Sequence, residues 1–327
     1  MGQTVYFLRP LWVWGGCVAL SVTPPPHTRK HLDQASGGTL VTMKELRQRV
    51  AVVTGAASGI GLAMAERFAA EKMSIVMADI EAVPLAAAAA RVSALGVDVL
   101  TQCVDVSDAD AVEAMAVASF DRFGAVHVLC NNAGVGGGGR QETLSVAEWN
   151  WVLGVNLHGV VHGIASFLPR MVASGEEGHI VNTASMAGHL AFGGMGPYNA
   201  SKYAVVGISE SLFHELAETS VGVSVLCPGW VNTKIGESAR NRPASIPERI
   251  ARPEDAARSE YIAAVLAAGL SPAEIATMVH DAIVSDRFWI FSHPEMLAGV
   301  RQRADEIMVG GNPGTGGAVA GDVSSLG

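Results

Sequence analysis

Tyr198 and Lys202 stand one helical turn apart in the stretch SMAGHLAFGGMGPYNASK, which begins at Ser185 and ends on Lys202. On a helix that spacing sets the phenol and the ammonium on the same face. A tyrosine titrates near roughly 10, and a neighbouring cation lowers such a pKa by about 1–3 units, toward the range where a general base works near neutrality. The spacing therefore predicts a Tyr198 phenol made acidic by Lys202. Ser185 adds a hydroxyl able to hold an oxygen on which charge develops. Ala200, Lys202, Ala204 and Glu210 favour helix, and Gly196-Pro197 suits a loop entering its first turn. The pair is a weak signal by itself, because Tyr and Lys at this spacing are common on solvated helix faces.

A second group of residues lies upstream. Arg49 to Val53 is an apolar, β-branched run that stops at TGAASGIG and continues into LAMAERFAAEKM, a pattern of strand, glycine turn and helix. Gly55 can turn the chain where a side chain would strain it, Gly59 lets backbone approach a pyrophosphate, and Gly61 lets helix pack close to strand. The helix N-terminus then faces the phosphates. A second apolar run, Ser74 to Ala78, closes at Asp79, placed to accept from a ribose 2′-hydroxyl.

TGAASGIG, Asp105 in CVDVSD, the segment Asn131-Asn132-Ala133-Gly134, Asn156 in VNLHG, Ser185, the Tyr198/Lys202 pair and Pro228-Gly229 followed by Thr233 have a characteristic order and spacing. This chain resembles the short-chain dehydrogenase/reductase family over about residues 50–293. The resemblance implies a single α/β domain with a doubly wound parallel sheet, the Rossmann fold. It implies an oxidoreductase that interconverts a secondary alcohol and a ketone by hydride transfer with NAD(P). Tyr198 is then the general acid/base, Ser185 the hydrogen-bond donor to the substrate oxygen, and Lys202 a partner of the nicotinamide ribose. Asn156 holds a water in the proton path. The dinucleotide is expected on Gly55, Ser58, Gly59, Ile60, Gly61 and Asp79, with Asp105 and Val106 near the adenine. Further along it meets Asn132, Ala133, Gly134, Tyr198, Lys202, Pro228 and Gly229, with Val231 and Thr233 at the carboxamide. For Asp105 the residues alone leave an equal alternative, the N-cap of the helix that follows. NAD is favoured over NADP because Asp79 repels a 2′-phosphate and neither Ser58 nor Ile80 supplies a basic group.

The chain has 327 residues, 49% of them hydrophobic, enough for one large α/β core. A formal charge of −9 and the lack of a basic stripe argue against nucleic acid as a partner. Cys17, Cys103, Cys130 and Cys227 are scattered without zinc spacing, which points to a reducing, cytoplasmic setting. Residues 1–42 form an apolar, then Pro/Gly-rich extension with a signal-like outline, too short in its apolar core for a stable membrane anchor. Met43 reads as the natural start. The catalytic domain is expected over 43–309, with a substrate lid at 234–270 and a disordered glycine-rich tail at 310–327. The loop Gly136 to Gly139 reads as mobile.

Other chemistries find less support. His158 and His162 lie one turn apart on a predicted helix, but with no third ligand no metal site is expected. Ser185 sits in A-S-M-A-G rather than G-x-S-x-G, against a hydrolase. The predicted helices Trp149–Pro169 and Tyr198–Leu216 are widely apolar, and the resemblance implies a homodimer or homotetramer built on them. Ile235, Ile246, Ile250, Tyr261 and Ile262 in the lid suggest an apolar alcohol or ketone. A catalytically silent dinucleotide-binding regulator, and an epimerase or dehydratase on the same scaffold, remain alternatives.

Overall fold

A computed structural model describes residues 43–247 and 253–314. The N-terminal extension, Cys17, Ile250 and the tail beyond residue 314 lie outside the described residues. Strands β1 (Val50–Thr54), β2 (Ser74–Asp79), β3 (Val99–Cys103), β4 (Val128–Asn131), β5 (Gly178–Thr183), β6 (Val221–Cys227) and β7 (Trp289–Phe291) alternate with helices. These helices are α1 (Gly59–Ala70), α2 (Ala82–Ser93), α3 (Ala109–Phe123), α4 (Val146–Ser174), α5 (Gly196–Glu215), α6 (Pro253–Ala267), α7 (Pro272–Val284) and α8 (Leu297–Met308). The strands form one parallel sheet in the order β3-β2-β1-β4-β5-β6-β7, so the expected single-domain doubly wound α/β fold is observed. The winding reverses between β1 and β4, and at such a switch point the carboxyl ends of the strands leave an open crevice.

Burial on both faces explains why the strand sequences are continuous apolar runs instead of alternating ones. Ala51, Val53, Ile75 and Met77 pack on one face against Met64 and Phe68 of α1 and Ile275, Val279 and Ile283 of α7. Val50, Val52 and Val76 face the other way, against Met115 of α3, Phe167 and Met171 of α4 and Leu212 of α5. Each large aliphatic or aromatic side chain so buried contributes about 1.5–3 kcal/mol, and this two-sided core keeps the strand ends at fixed separations.

Local signals set the element ends. Ser145 opens α4 and Ser271 opens α7, each as a capping box with a glutamate, Glu148 and Glu274, that returns a hydrogen bond to the cap. Of the two readings left open for Asp105, the helix cap is not observed: α3 is capped by Asp108, which accepts from the Asp110 and Ala111 N–H groups. Asp105 makes a separate turn, accepting from Ser107 N and Ser107 Oγ. Helix α4 contains a π-helical segment, Gly154–His158. It is long and apolar, but its apolar side chains include Phe167 and Met171 of the core. The glycine loop after β4 is held at two points: Gly136 N donates to Ser238 Oγ at 2.8 Å and Gly139 N to Gly194 O at 2.8 Å.

Candidate active site

Thr54, the last residue of β1, organises the crevice. Its Oγ1 accepts from Asn132 N at 2.9 Å and Ala133 N at 3.0 Å and donates to Cys130 O at 3.3 Å, which locks the end of β4 beside the glycine turn. Asn132 Nδ2 donates back to Thr54 O at 2.9 Å. At Gly61 a Cβ would lie 2.1 Å from the Gly55 carbonyl oxygen, so helix and strand meet at a distance only glycine permits. Gly59 has φ +55 and begins α1 directly below Thr233. Ser58 precedes it as N-cap without a side-chain cap bond, and Ser58, Gly59 and Ile60 put the start of α1 on the cavity wall.

That cavity measures about 710 Å³. Gly55, Ser58, Gly59, Ile60, Asp79, Asp105 and Val106 line one end. Asn132, Ala133, Gly134, Ser185, Tyr198, Lys202, Pro228, Gly229, Val231 and Thr233 line the other. Gly61 and Asn156 of the expected set stand behind the wall, Asn156 with no exposed surface. Asp79 is already half committed: Oδ2 accepts from Ala57 N and Oδ1 from Glu81 N, each at 3.0 Å, which fixes the carboxylate at the edge of the crevice. A helix N-terminus, a glycine cradle and a distal carboxylate along one elongated cleft fit a dinucleotide.

The chemistry-bearing side chains come from three elements. Ser185 follows β5; its Oγ accepts from Ala187 N at 3.1 Å and lies 3.3 Å from Pro228 O. Tyr198 and Lys202 come from the first turns of α5, which starts at Gly196 with Pro197 in its first turn. Lys202 Nζ lies 5.6 Å from the centre of the Tyr198 ring and donates to Thr183 O at 2.9 Å. The expected acidification of the phenol is not found. Burial pushes the Tyr198 phenol above its ordinary value, with the Ser185 hydroxyl drawing it partway back. Burial also brings the Lys202 ammonium down to about 8. Spacing had suggested the reverse for Tyr198, because helix geometry gives proximity but not the desolvation that opposes a charged phenolate.

Asn156 acts through the loop after β4. Its Oδ1 accepts from Val135 N at 2.8 Å, and its Nδ2 donates to Val135 O at 3.0 Å and Ser201 Oγ at 3.3 Å. The Asn156 amide is thus tied to the main chain of Val135 and to Ser201, and Asn156 and Lys202 flank Gly134 from two sides. Beneath them a buried chain of amides ties β4, β5 and α5 together: Asn131 Nδ2 donates to Asn182 Oδ1 at 2.9 Å and Asn182 Nδ2 to Ser209 Oγ at 3.1 Å. Asn131 Oδ1 is buried without a hydrogen-bond partner, but each of the two bonds made spares a group a cost of about 1–3 kcal/mol, so the network favours one register of α5 against the sheet.

A second cavity, about 750 Å³, opens on the other side of Ser185 and Tyr198. Trp151, Val152, Met186, Phe192, Trp230 and Ile262 give it an apolar wall, while Glu148, Glu237, Arg242 and Arg258 add charged groups to the same lining. Ile235 and Ser238 of the segment 234–241 border both cavities, Ile246 borders the first, and Tyr261 borders neither. His162 Nδ1 lies 2.9 Å from Val106 O, and among the described residues no three potential metal ligands gather. A serine, a histidine and an acid do meet at the far end of the sheet, where His179 Nε2 is 2.7 Å from Ser224 Oγ and His179 Nδ1 is 4.0 Å from Asp286 Oδ1. Ser224 is buried and donates to Arg287 O at 2.7 Å, so its hydroxyl serves as a bracket and not as a nucleophile.

Sequence reading passed over Thr54, Thr183, Glu81 and Arg240. Thr54 stood inside the quoted glycine motif; the partnership of Glu81 with Arg240 spans 159 residues and leaves no local trace.

The doubly wound sheet and the glycine turn at its switch point define an α/β protein with a cleft suited to a dinucleotide. The short chain dehydrogenase family matches residues 49–244, and the chain belongs to that family. It is a short-chain alcohol dehydrogenase/ketoreductase, performing NAD(P)-dependent alcohol/ketone oxidoreduction. Over 264 residues it is 36% identical to a 1-deoxy-11-beta-hydroxypentalenate dehydrogenase of Streptomyces exfoliatus, covering 80% of this chain and 89% of that protein. A short chain dehydrogenase/reductase from Burkholderia phymatum, solved in complex with NAD, is 42% identical with a TM-score of 0.80, covering 83% of this chain and 98% of that one. An actinorhodin polyketide ketoreductase solved with NADPH is 33% identical with a TM-score of 0.63, covering 75% and 95%.

Proposed function

We propose that this enzyme interconverts a bulky, apolar secondary alcohol and its ketone with NAD(H), using Tyr198 as general acid/base. The observation that carries the reading is the position of Ser185 and Tyr198 on the wall shared by the two cavities, one suited to a dinucleotide and the other carrying a cluster of large apolar side chains beside a charged rim. Bound nicotinamide supplies or accepts the hydride at the carbinol carbon. In reduction, Tyr198 gives its proton to the carbonyl oxygen while Ser185 donates a hydrogen bond to the same atom and steadies its charge. In oxidation the proton returns from the alcohol to Tyr198. Near pH 7 the raised phenol is protonated and Lys202 is charged, the state that suits carbonyl reduction. Alcohol oxidation should accordingly accelerate as pH rises toward the titration of Tyr198.

Asp79 supports NAD over NADP, because its carboxylate sits at the ribose end of the cleft. The Burkholderia relative was solved with NAD, in line with that preference. The name of the Streptomyces relative, a dehydrogenase of a hydroxylated compound, agrees with an alcohol substrate. Exposed Val161 and Val172 on α4 favour a homo-oligomer, and unpaired Cys103, Cys130 and Cys227 suit a reducing cytoplasm.

Tyr198→Phe tests the assignment. Screening apolar secondary alcohols for formation of reduced nicotinamide identifies a substrate, and on it the variant should lose about 10²–10⁴-fold in kcat with NADH binding nearly intact. Turnover within about threefold of wild type would remove Tyr198 from the chemistry.

A further inference from the structure

Beyond Asp79, a second carboxylate and a guanidinium face the ribose end of the cleft. Glu81 and Arg240 both line the dinucleotide cavity, together with Asp79 and Lys234. Arg240 Nε lies 3.1 Å from Glu81 Oε1 and 3.2 Å from Oε2, and Nη2 lies 2.9 Å from Oε2. Glu81 therefore occupies the two-nitrogen edge of the guanidinium, the edge that matches a phosphate bidentately. The opposite nitrogen is held by its own segment, since Nη1 donates to Lys234 O and Glu237 O, each at 3.1 Å. Arg240 is thus anchored from behind whether or not Glu81 is charged. The Glu81 carboxylate holds the Arg240 guanidinium above its ordinary value, with smaller contributions from Glu237 and Asp79.

We propose that Glu81 determines cofactor specificity by filling the Nε/Nη2 fork of Arg240, a ready-made 2′-phosphate clasp. The inference rests on the preference for NAD argued above and explains how a cleft that contains Arg240 and Lys234 keeps that preference. With Glu81 in place a 2′-phosphate meets two carboxylates and a guanidinium already paired. With the carboxylate neutralised, the fork is free to exchange a weak amide contact for a charge-assisted phosphate pair. Both side chains are partly solvated, 32% exposed for Arg240 and 23% for Glu81, so the clasp is reachable by ligand and screened by salt.

The test is titration of cofactor binding by nicotinamide fluorescence at low ionic strength, with NADH and NADPH, on wild type, Glu81→Gln and Glu81→Gln/Arg240→Met. Glu81→Gln should bind NADPH about tenfold more tightly than wild type and NADH nearly as before, and adding Arg240→Met should abolish the gain. Adenosine 2′,5′-bisphosphate against adenosine 5′-monophosphate, by calorimetry, should show the same contrast without the nicotinamide half. A wild type that prefers NADPH overturns the NAD reading and the proposal together. A wild type that prefers NADH, with a Glu81→Gln variant of unchanged ratio or one weakened equally for both cofactors, overturns the proposal alone.

Discussion

Replacing Lys202 with methionine keeps an aliphatic stem in the core and removes the titrating amine, so the two proteins differ in stability by an amount that depends on pH. Burial lowers the Lys202 ammonium from its ordinary 10.5 to about 8. Between those values the unfolded chain carries a proton that the folded chain has released. Stability must then rise with pH, at about 1.36 kcal/mol per pH unit. Across an interval of about 2.5 pH units the wild type gains about 3 kcal/mol relative to Lys202→Met. The same amount is lost as pH falls through the folded value. The substitution also removes the 2.9 Å bond to Thr183 O, but that cost is nearly constant with pH and drops out of the slope. Urea denaturation followed by tryptophan fluorescence, at several pH values between about 7 and 10.5, measures the difference directly. A wild-type minus variant difference that stays flat within about 0.5 kcal/mol over that range refutes the argument that desolvation governs this site.

Two further outcomes follow from the geometry. Gly61→Ala puts a methyl 2.1 Å from the Gly55 carbonyl, so α1 must move off β1, at about 1–3 kcal/mol in stability and with weakened dinucleotide binding; thermal melts with and without NADH read both. His127, held neutral by burial, accepts from Val50 N at 3.0 Å through Nδ1 and pairs with Glu176 through Nε2. Its folded value lies below 6.5, so the stability it gives is complete above that pH and is lost as pH falls through the lowered value; His127→Ala should be less stable at pH near 7.5 and show a shallower acid decline in urea melts.

What the amino-acid sequence determined by itself are the features with short periods. Gly55, Gly59 and Gly61 mark a turn because only glycine accepts those angles and contacts, and the apolar runs around Val52 and Val76 mark strands covered on both faces. Tyr198 and Lys202 share a helix face because a turn is a fixed number of residues. Tertiary structure decided the rest, because desolvation and remote charge depend on chain that is distant in sequence. It set the direction in which the Tyr198 phenol moves, for the burial that raises it is made by several elements at once. It tied the Asn156 amide to Val135, placed the α3 cap at Asp108, and brought Arg240 across the cleft to Glu81. A sequence states which groups are one turn apart; which of them are out of water, and beside what, is settled only when the sheet has closed around them.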